Sequence, residues 1–316
     1  MKQAYLDADT LLSLSQRATE ENAEPFDPLH VDLGRPFIHE EFTQLSHTSI
    51  YAELDDAQRL RYNQLSGMSS NELFMMFESG FTNRVIQRLI GHRMLRHDPV
   101  LRQCLEIMLE EEKAHTRMFA ALNRKCMPGI YTRTTFHFTR SGLFEKAALW
   151  SLTHLPHHLL LVVWLVMIME EFSNYISRRM IRSQETRHLG TLDPAFVELH
   201  HRHLRDEARH VQIDANLIAR MTELAGPLKR RSNARILRFL MDQILMPRRA
   251  GVAVIRHLVT EHPELKTREN ELIASLRRLK REPGFANALC QEGEMKLTRL
   301  FMGQFPEYHF IQTYAH

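Results

Sequence analysis

The chain has 316 residues, 44% of them hydrophobic and 25% charged, with a formal charge of only +3. That balance excludes a disordered, highly charged chain and gives no sign of a polyanionic partner such as nucleic acid. Only 12 glycines and 12 prolines punctuate it, which argues against a turn-rich β fold and for long helices.

The N-terminal stretch "MKQAYLDADTLLSLSQ" lacks the apolar core of a secretion signal. A short amphipathic helix is expected near Asp9 to Asn22, followed by extended chain through "AEPFDPLH" and "GRPFIHE". From about Asp55 the pattern is helical. "SSNELFMMFESGFTNRVIQRLIGHRML" reads as a helix opened by a serine cap. The next helix opens at Asp98-Pro99 and ends at Pro128-Gly129. "IYTRTTFHFTR" is β-branched and aromatic and reads as an extended link. Beyond it comes one helix kinked near Pro156, or two in succession. Within this region "LLLVVWLVMIM", Leu159 to Met169, is an unbroken apolar run of 11 residues, too short by itself to span a bilayer. It ends in Glu170-Glu171 and reads as a buried helix. A further long helix opens at Asp193-Pro194 and closes at Gly226. Three or four shorter amphipathic helices, rich in Lys and Arg, complete the chain. "KRRSNARILR" is read as a solvated face. Cys104, Cys126 and Cys290 are isolated and odd in number, which suits free thiols in a reducing compartment. The expectation is a cytoplasmic, all-α protein with a single domain over residues 1–316. Residues 55–226 would form its core and 227–316 its additional helices.

Two E-x-x-H units stand in mid-helix positions: Glu112 with His115, and Glu207 with His210. Residues three apart share a helix face, so each unit can aim a carboxylate and an imidazole at one point. A bundle site built on two such units also needs a glutamate from each of two other helices. Glu78 lies among "LFMMFESGF", and Glu170 or Glu171 ends the apolar run. Glu72 is an alternative to Glu78, although its place just after Ser70 reads as part of a helix cap. A carboxylate in such apolar surroundings must be paired, protonated or bound to metal.

The order Glu, E-x-x-H, Glu, E-x-x-H over four long helices resembles the ferritin-like di-iron carboxylate oxygenases. In "HRHLRDEARHVQ", His203 lies four residues before Glu207, on the same face. This third histidine is similar to the p-aminobenzoate N-oxygenase family, whose ligand set is four Glu and three His. The resemblance covers roughly residues 70 to 215. It implies a metal set of Glu78, Glu112, His115, Glu170 (or Glu171), His203, Glu207 and His210. It also implies Asp206 and Glu111 as supports for His115 and His210.

By that resemblance the protein is a ferritin-like bundle holding two Fe ions, which uses O2 to oxidise an amine nitrogen to the hydroxylamine or nitro level. The substrate is an aromatic or amino-acid-like amine. Nothing in the chain resembles a flavin or NAD site, so electrons must come from a separate reductase or small reductants. A homodimer is implied, with no nucleic-acid or membrane partner. C-hydroxylation, desaturation and oxidative C–C cleavage are the rival reactions on this scaffold. Iron storage and a metal-free helical interaction protein are the rival classes. His200 and His201 fall on other faces, and His157-His158 begin a helix. Met75, Met76, Met167 and Met169 are read as core, and Tyr175 as packing.

Overall fold

A computed structural model describes residues 5–21, 26–28, 30–140, 142–154, 159–244, 248–279, 285 and 294–314. Among these the protein is all-α. The sole β feature is an isolated antiparallel bridge between Glu185 and Thr191. The helices in chain order are α1 Ala8–Glu21, α2 Asp56–Phe77, α3 Asn83–Ile90, α4 Pro99–Cys126, α5 Pro128–Tyr131 and α6 Leu143–His154. They continue with α7 Leu159–Arg182, α8 Pro194–Leu224, α9 Pro227–Ile244, α10 Arg248–Glu261, α11 Glu269–Arg278 and α12 Lys296–Gln304.

The first core helix begins earlier than the serine pair suggests. Asp55 caps α2: its side chain accepts from the Gln58 N–H while the Gln58 side chain accepts from the Asp55 N–H. The helix then runs through Ser69 and Ser70, so the cap expected there is corrected. Glu72 is not a cap residue either. It is buried, and its carboxylate accepts from Tyr131 Oη at 2.7 Å and from the backbone N–H groups of His137, Phe138 and Thr139 at 2.8, 2.9 and 2.8 Å. Glu72 thus ties the link after α5 to α2. Extended backbone without a partner strand would otherwise leave those N–H groups unpaired.

The helical run from α2 to α3 is interrupted by a π turn, Glu78–Thr82. Gly80 lies within this turn, and the Ser79 hydroxyl bonds the Met75 carbonyl at 2.5 Å. A local widening of the hydrogen-bond ladder is the usual place for such turns, which favour functional sites.

α4 is capped by Asp98 with Pro99 at its first turn, and α8 by Asp193 with Pro194 in the same role. α7 is apolar on all sides from Leu160 to Ile168, and every one of those residues is buried. By length and composition Leu160–Arg182 could cross a membrane, yet 89% of its apolar 18-residue window is buried within the protein. It packs against α3, α6, α8, α9 and α12. Burying each large apolar side chain contributes on the order of 1.5–3 kcal/mol, so this helix anchors the core. The bend expected near Pro156, together with His157-His158 and Cys290, lies outside the described residues.

α3 with its π turn, α4, α8 and α7 close a four-helix ring, and α2 packs on α4. One apolar cluster, containing Val85, Leu105, Met108, Val163 and Leu217, fills one end of the ring. A second, containing Phe74, Phe119, Ile176 and Leu199, fills the other end. Met75 and Met167 are buried core residues. Tyr175 is buried with its ring edge-on to Phe42. The chain after α8 forms four further α-helices among the described residues. On α9 the Lys229, Arg231, Arg235 and Arg238 side of "KRRSNARILR" is exposed, while Ala234 and Leu237 are buried.

Candidate metal centre

Between the two apolar clusters lies a band of charged side chains with no access to water. Glu78 stands at the start of the π turn, Glu112 and His115 on α4, Glu170 on α7, and His203, Glu207 and His210 on α8; all are buried. Their donor atoms form two overlapping groups. Glu78, His115, His203 and Glu207 make one, and Glu112, His115, Glu207 and His210 the other; within each, the atoms lie within 4.8 Å of one another. Glu207 is the hub. Its Oε1 is 3.1 Å from His115 Nδ1, 3.2 Å from His203 Nε2 and 3.3 Å from His210 Nδ1. Glu112 Oε1 is 2.9 Å from His210 Nδ1, and Glu78 Oε1 is 3.2 Å from His203 Nε2.

Glu170 belongs to neither four-residue group, but its carboxyl interacts with those of Glu207 and Glu112. Glu171 faces elsewhere. It accepts from the backbone N–H groups of Leu297 and Thr298 at 2.9 and 3.0 Å, in the first turn of α12. Of the two glutamates that end the apolar run, only Glu170 therefore faces the cluster.

The outer edges of two histidines are held crosswise. Asp206 on α8 lies 3.0 Å from Nε2 of His115 on α4, and Glu111 on α4 lies 2.9 Å from Nε2 of His210 on α8. Arg209 bonds both of these carboxylates. A carboxylate at Nε2 fixes the hydrogen there and leaves the Nδ1 lone pair facing inward. His203 is turned the other way, with Nε2 inward and Nδ1 3.4 Å from the Ser177 hydroxyl. Thr116 Oγ1 donates to Glu78 at 3.4 Å.

The electrostatics describe a cluster short of positive charge. Burial, with the Glu207 charge next, pushes the Glu112 carboxyl up to about 7. Burial and the same neighbour raise Glu170 well above the usual range. Burial opposes the charge of Glu207, but His210 and His203 beside it hold its carboxyl well below that range. Burial likewise opposes charge on His115 and His210. The hydrogen bond that His115 donates to Asp206, and the Glu207 charge beside His210, nevertheless raise both imidazoles well above theirs. For Asp206 burial is again outweighed, chiefly by His115, and its carboxyl falls to about 2.

The inward atoms also fit a metal by what they lack. Both carboxylate oxygens of Glu112 and of Glu207, Oε1 of Glu170, and Nδ1 of His115 and His210 are buried without a well-formed hydrogen bond, and the polar contacts of these imidazole nitrogens are with the cluster's own carboxylates at 2.9–3.3 Å. Buried polar atoms are nearly always well satisfied, and here those that are not converge on one place. Hard carboxylate oxygens with imidazole nitrogens suit iron or manganese, and four glutamates balance the charge of two divalent ions.

Arg209, Ser177, Thr116 and His200 are neighbours of the cluster that spacing did not single out. Arg209 sits inside "DEARH" and could have been suspected from its position. Ser177 lies seven residues after Glu170, on the same face of α7. His200 falls on another face of α8, yet it is buried and its Nδ1 lies 3.0 Å from Ser177 Oγ, so it reaches the cluster through that hydroxyl.

A four-helix core that aims this set of donors inward is that of the ferritin-like di-metal carboxylate proteins. The chain belongs to the p-aminobenzoate N-oxygenase family: the family described as p-aminobenzoate N-oxygenase AurF matches residues 6–281. No curated protein matches it in sequence. Among solved structures it is similar to a variant of an R2-like ligand-binding oxidase with an anaerobically reconstituted Mn/Fe cofactor. That match has 17% identity and a TM-score of 0.42, and covers 97% of this chain and 93% of the other. A second variant of that oxidase, reconstituted aerobically, matches with 17% identity and a TM-score of 0.41, covering 97% and 94%.

Proposed function

We propose that Glu78, Glu112, His115, Glu170, His203, Glu207 and His210 hold two iron ions, and that the protein uses O2 to oxygenate the nitrogen of a small aromatic or amino-acid-like amine. The observation that carries this reading is the convergence of buried carboxylate and imidazole donors from the π turn, α4, α7 and α8 on one place. The family's name supports an amine nitrogen as the group oxidised. The two irons would supply the redox chemistry with O2, and the protein the binding, orientation and exclusion of water.

The chain's own contributions follow from its contacts. Asp206 and Glu111 hold the Nε2 hydrogens of His115 and His210, so both Nδ1 lone pairs point inward. Glu207, central to three imidazoles, is the carboxylate suited to reach both ions. Arg209 offsets the charge of the two outer carboxylates. Protons held on Glu112, Glu170, His115 and His210 leave when the ions enter. The two apolar clusters above and below the band keep water out.

On the same reading, electrons come from a separate reductase or small reductants, and the protein works in the cytoplasm without nucleic-acid or membrane partners. A homodimer is supported by α9, where Leu228 and Phe239 are exposed apolar residues. The whole chain would act as one domain. Anaerobic loading with Fe(II), followed by mixing with O2 and an arylamine, tests the function. The expected result is two irons per chain, an O2-dependent optical change and an N-oxidised product. Two irons with oxidation only at carbon would overturn the N-oxygenase part and leave the centre standing.

A further inference from the structure

The three histidines of the cluster are not supported alike. His115 and His210 each have a carboxylate at the outer nitrogen, at 3.0 and 2.9 Å. The outer nitrogen of His203 has a neutral partner, the Ser177 hydroxyl at 3.4 Å. That hydroxyl is also 3.0 Å from Nδ1 of His200. All three groups are buried. Around them stand the rings of Phe74 and Phe119, with centroids 5.8 and 5.2 Å from that of His203 and 6.2 and 6.4 Å from that of His200.

Once the inner nitrogen of His203 is a ligand, the hydrogens along this chain can run outward from His203. Nε2 then offers its lone pair inward, so Nδ1 carries the hydrogen and donates to Ser177 Oγ. The Ser177 hydroxyl, 3.0 Å from His200 Nδ1, is then placed to donate to it. His200 suits the accepting role because burial, with His203 next, depresses it to about 3 and keeps it neutral. The Ser177 side chain is delivered by α7, whose Glu170, Asn174 and Ser177 share one face along α8. Asn174 Nδ2 bonds the Glu207 carbonyl at 3.2 Å on the way.

A carboxylate on the outer nitrogen raises the basicity of a ligating imidazole, and a hydroxyl does so far less. We propose that Ser177 and His200 are positioning residues which orient His203 as an Nε2 donor through this hydrogen-bond chain, and that the metal position served by His203 is in consequence the more weakly held of the two. This rests on the reading of His203 as a ligand. It adds an order of filling: His115 and Glu207 lie in both groups, so the group with Glu112 and the carboxylate-backed His210 loads first, and the group with Glu78 and His203 second.

The test is an anaerobic titration of the metal-free protein with Co(II), followed by its absorption, and with Fe(II), followed by bound metal. The wild-type protein is expected to take up two ions in two resolved steps. Ser177→Ala should weaken the second step by about 10–100-fold, the usual cost of losing an outer partner of a ligand, and leave the first unchanged. Ser177→Thr keeps the hydroxyl and should restore two steps near the wild-type positions. His200→Phe should weaken the second step by less than Ser177→Ala, because the hydroxyl remains to accept from His203. The melting temperature of each metal-free variant separates a folding defect from a metal effect. Wild-type protein that binds fewer than two ions overturns the ligand reading and this inference with it. Two ions bound by the wild type, with a Ser177→Ala isotherm that superimposes on it or shows both steps equally weakened, overturns this inference alone.

Discussion

α4 and α8 carry the same arrangement and differ on either side of it. Each has an acidic residue, a glutamate and, three residues on, a histidine: Glu111, Glu112 and His115 on one, Asp206, Glu207 and His210 on the other. Each lends its acidic residue to the other's histidine. One turn before the glutamate, α8 has His203 and α4 has Met108. One turn beyond the histidine, α8 has Asp214 and α4 has Phe119. The partner helices diverge in the same places. α7 stays regular through Glu170 and presents Asn174 and Ser177, whereas the first pair widens into a π turn at Glu78 and continues with Val85 and Ile86. The repeated part is what two metals need. The unlike flanks are where the two halves differ, and on the inference above they make the two metal positions unequal.

Several substitutions break or sharpen that comparison. The largest effect is expected at its shared centre. Glu207→Gln removes the one carboxylate close to all three imidazoles, so both ions should be lost; metal analysis after loading checks this. His203→Met gives α8 the residue type of α4 at the matching position. It should cost one ion and spare the other, and a variant that keeps both with unchanged affinity would show the halves to be equivalent. Asp206→Asn and Glu111→Gln remove the two crosswise supports in turn. Each should weaken metal binding by about 10–100-fold, and by similar factors if the repeat is functionally matched.

Acidity gives a graded test of the same cluster. Folded Glu112 keeps its proton to about 7, where an unfolded glutamate has lost it, and folded His115 and His210 stay protonated above the ordinary histidine range. In each case the folded protein binds a proton that the unfolded chain releases. The metal-free protein should therefore lose stability as pH rises from about 5 through about 7 and into the raised range of the two histidines. Metal binding expels those protons, so affinity should rise over the same range. Melting curves with and without metal should diverge with increasing pH. The smallest effect is expected at Asp214, whose Oδ2 is buried without a partner and whose carboxyl burial pushes well above its usual range. Asp214→Leu should raise the melting temperature by a few degrees, since an unsatisfied buried group costs about 1–3 kcal/mol.

The long helices and the two E-x-x-H units were legible because helical spacing alone puts Glu112 with His115, and Glu207 with His210, on one face. The choice between Glu170 and Glu171 was not, because adjacent residues point about a quarter-turn apart and the phase of α7 is set by its packing. The π turn at Glu78 left no periodic signal, since one extra residue in a turn hardly disturbs the apolar pattern. Glu72 resembled a cap because Ser70 precedes it, while its true partners, from Tyr131 to Thr139, lie far along the chain. Ser177 and His200 were hidden for the same reason: their role exists only where α7 crosses α8.

The central claim is a two-metal centre inside one seven-residue cluster. It is tested most directly by a crystal structure of the protein loaded anaerobically with Fe(II), with anomalous diffraction collected at the iron edge. Two iron peaks are expected in the buried band, with Nδ1 of His115 and His210 and Nε2 of His203 as the nitrogen ligands and Glu207 reaching both. A single peak, peaks elsewhere, or iron absent from the loaded crystal would contradict the account.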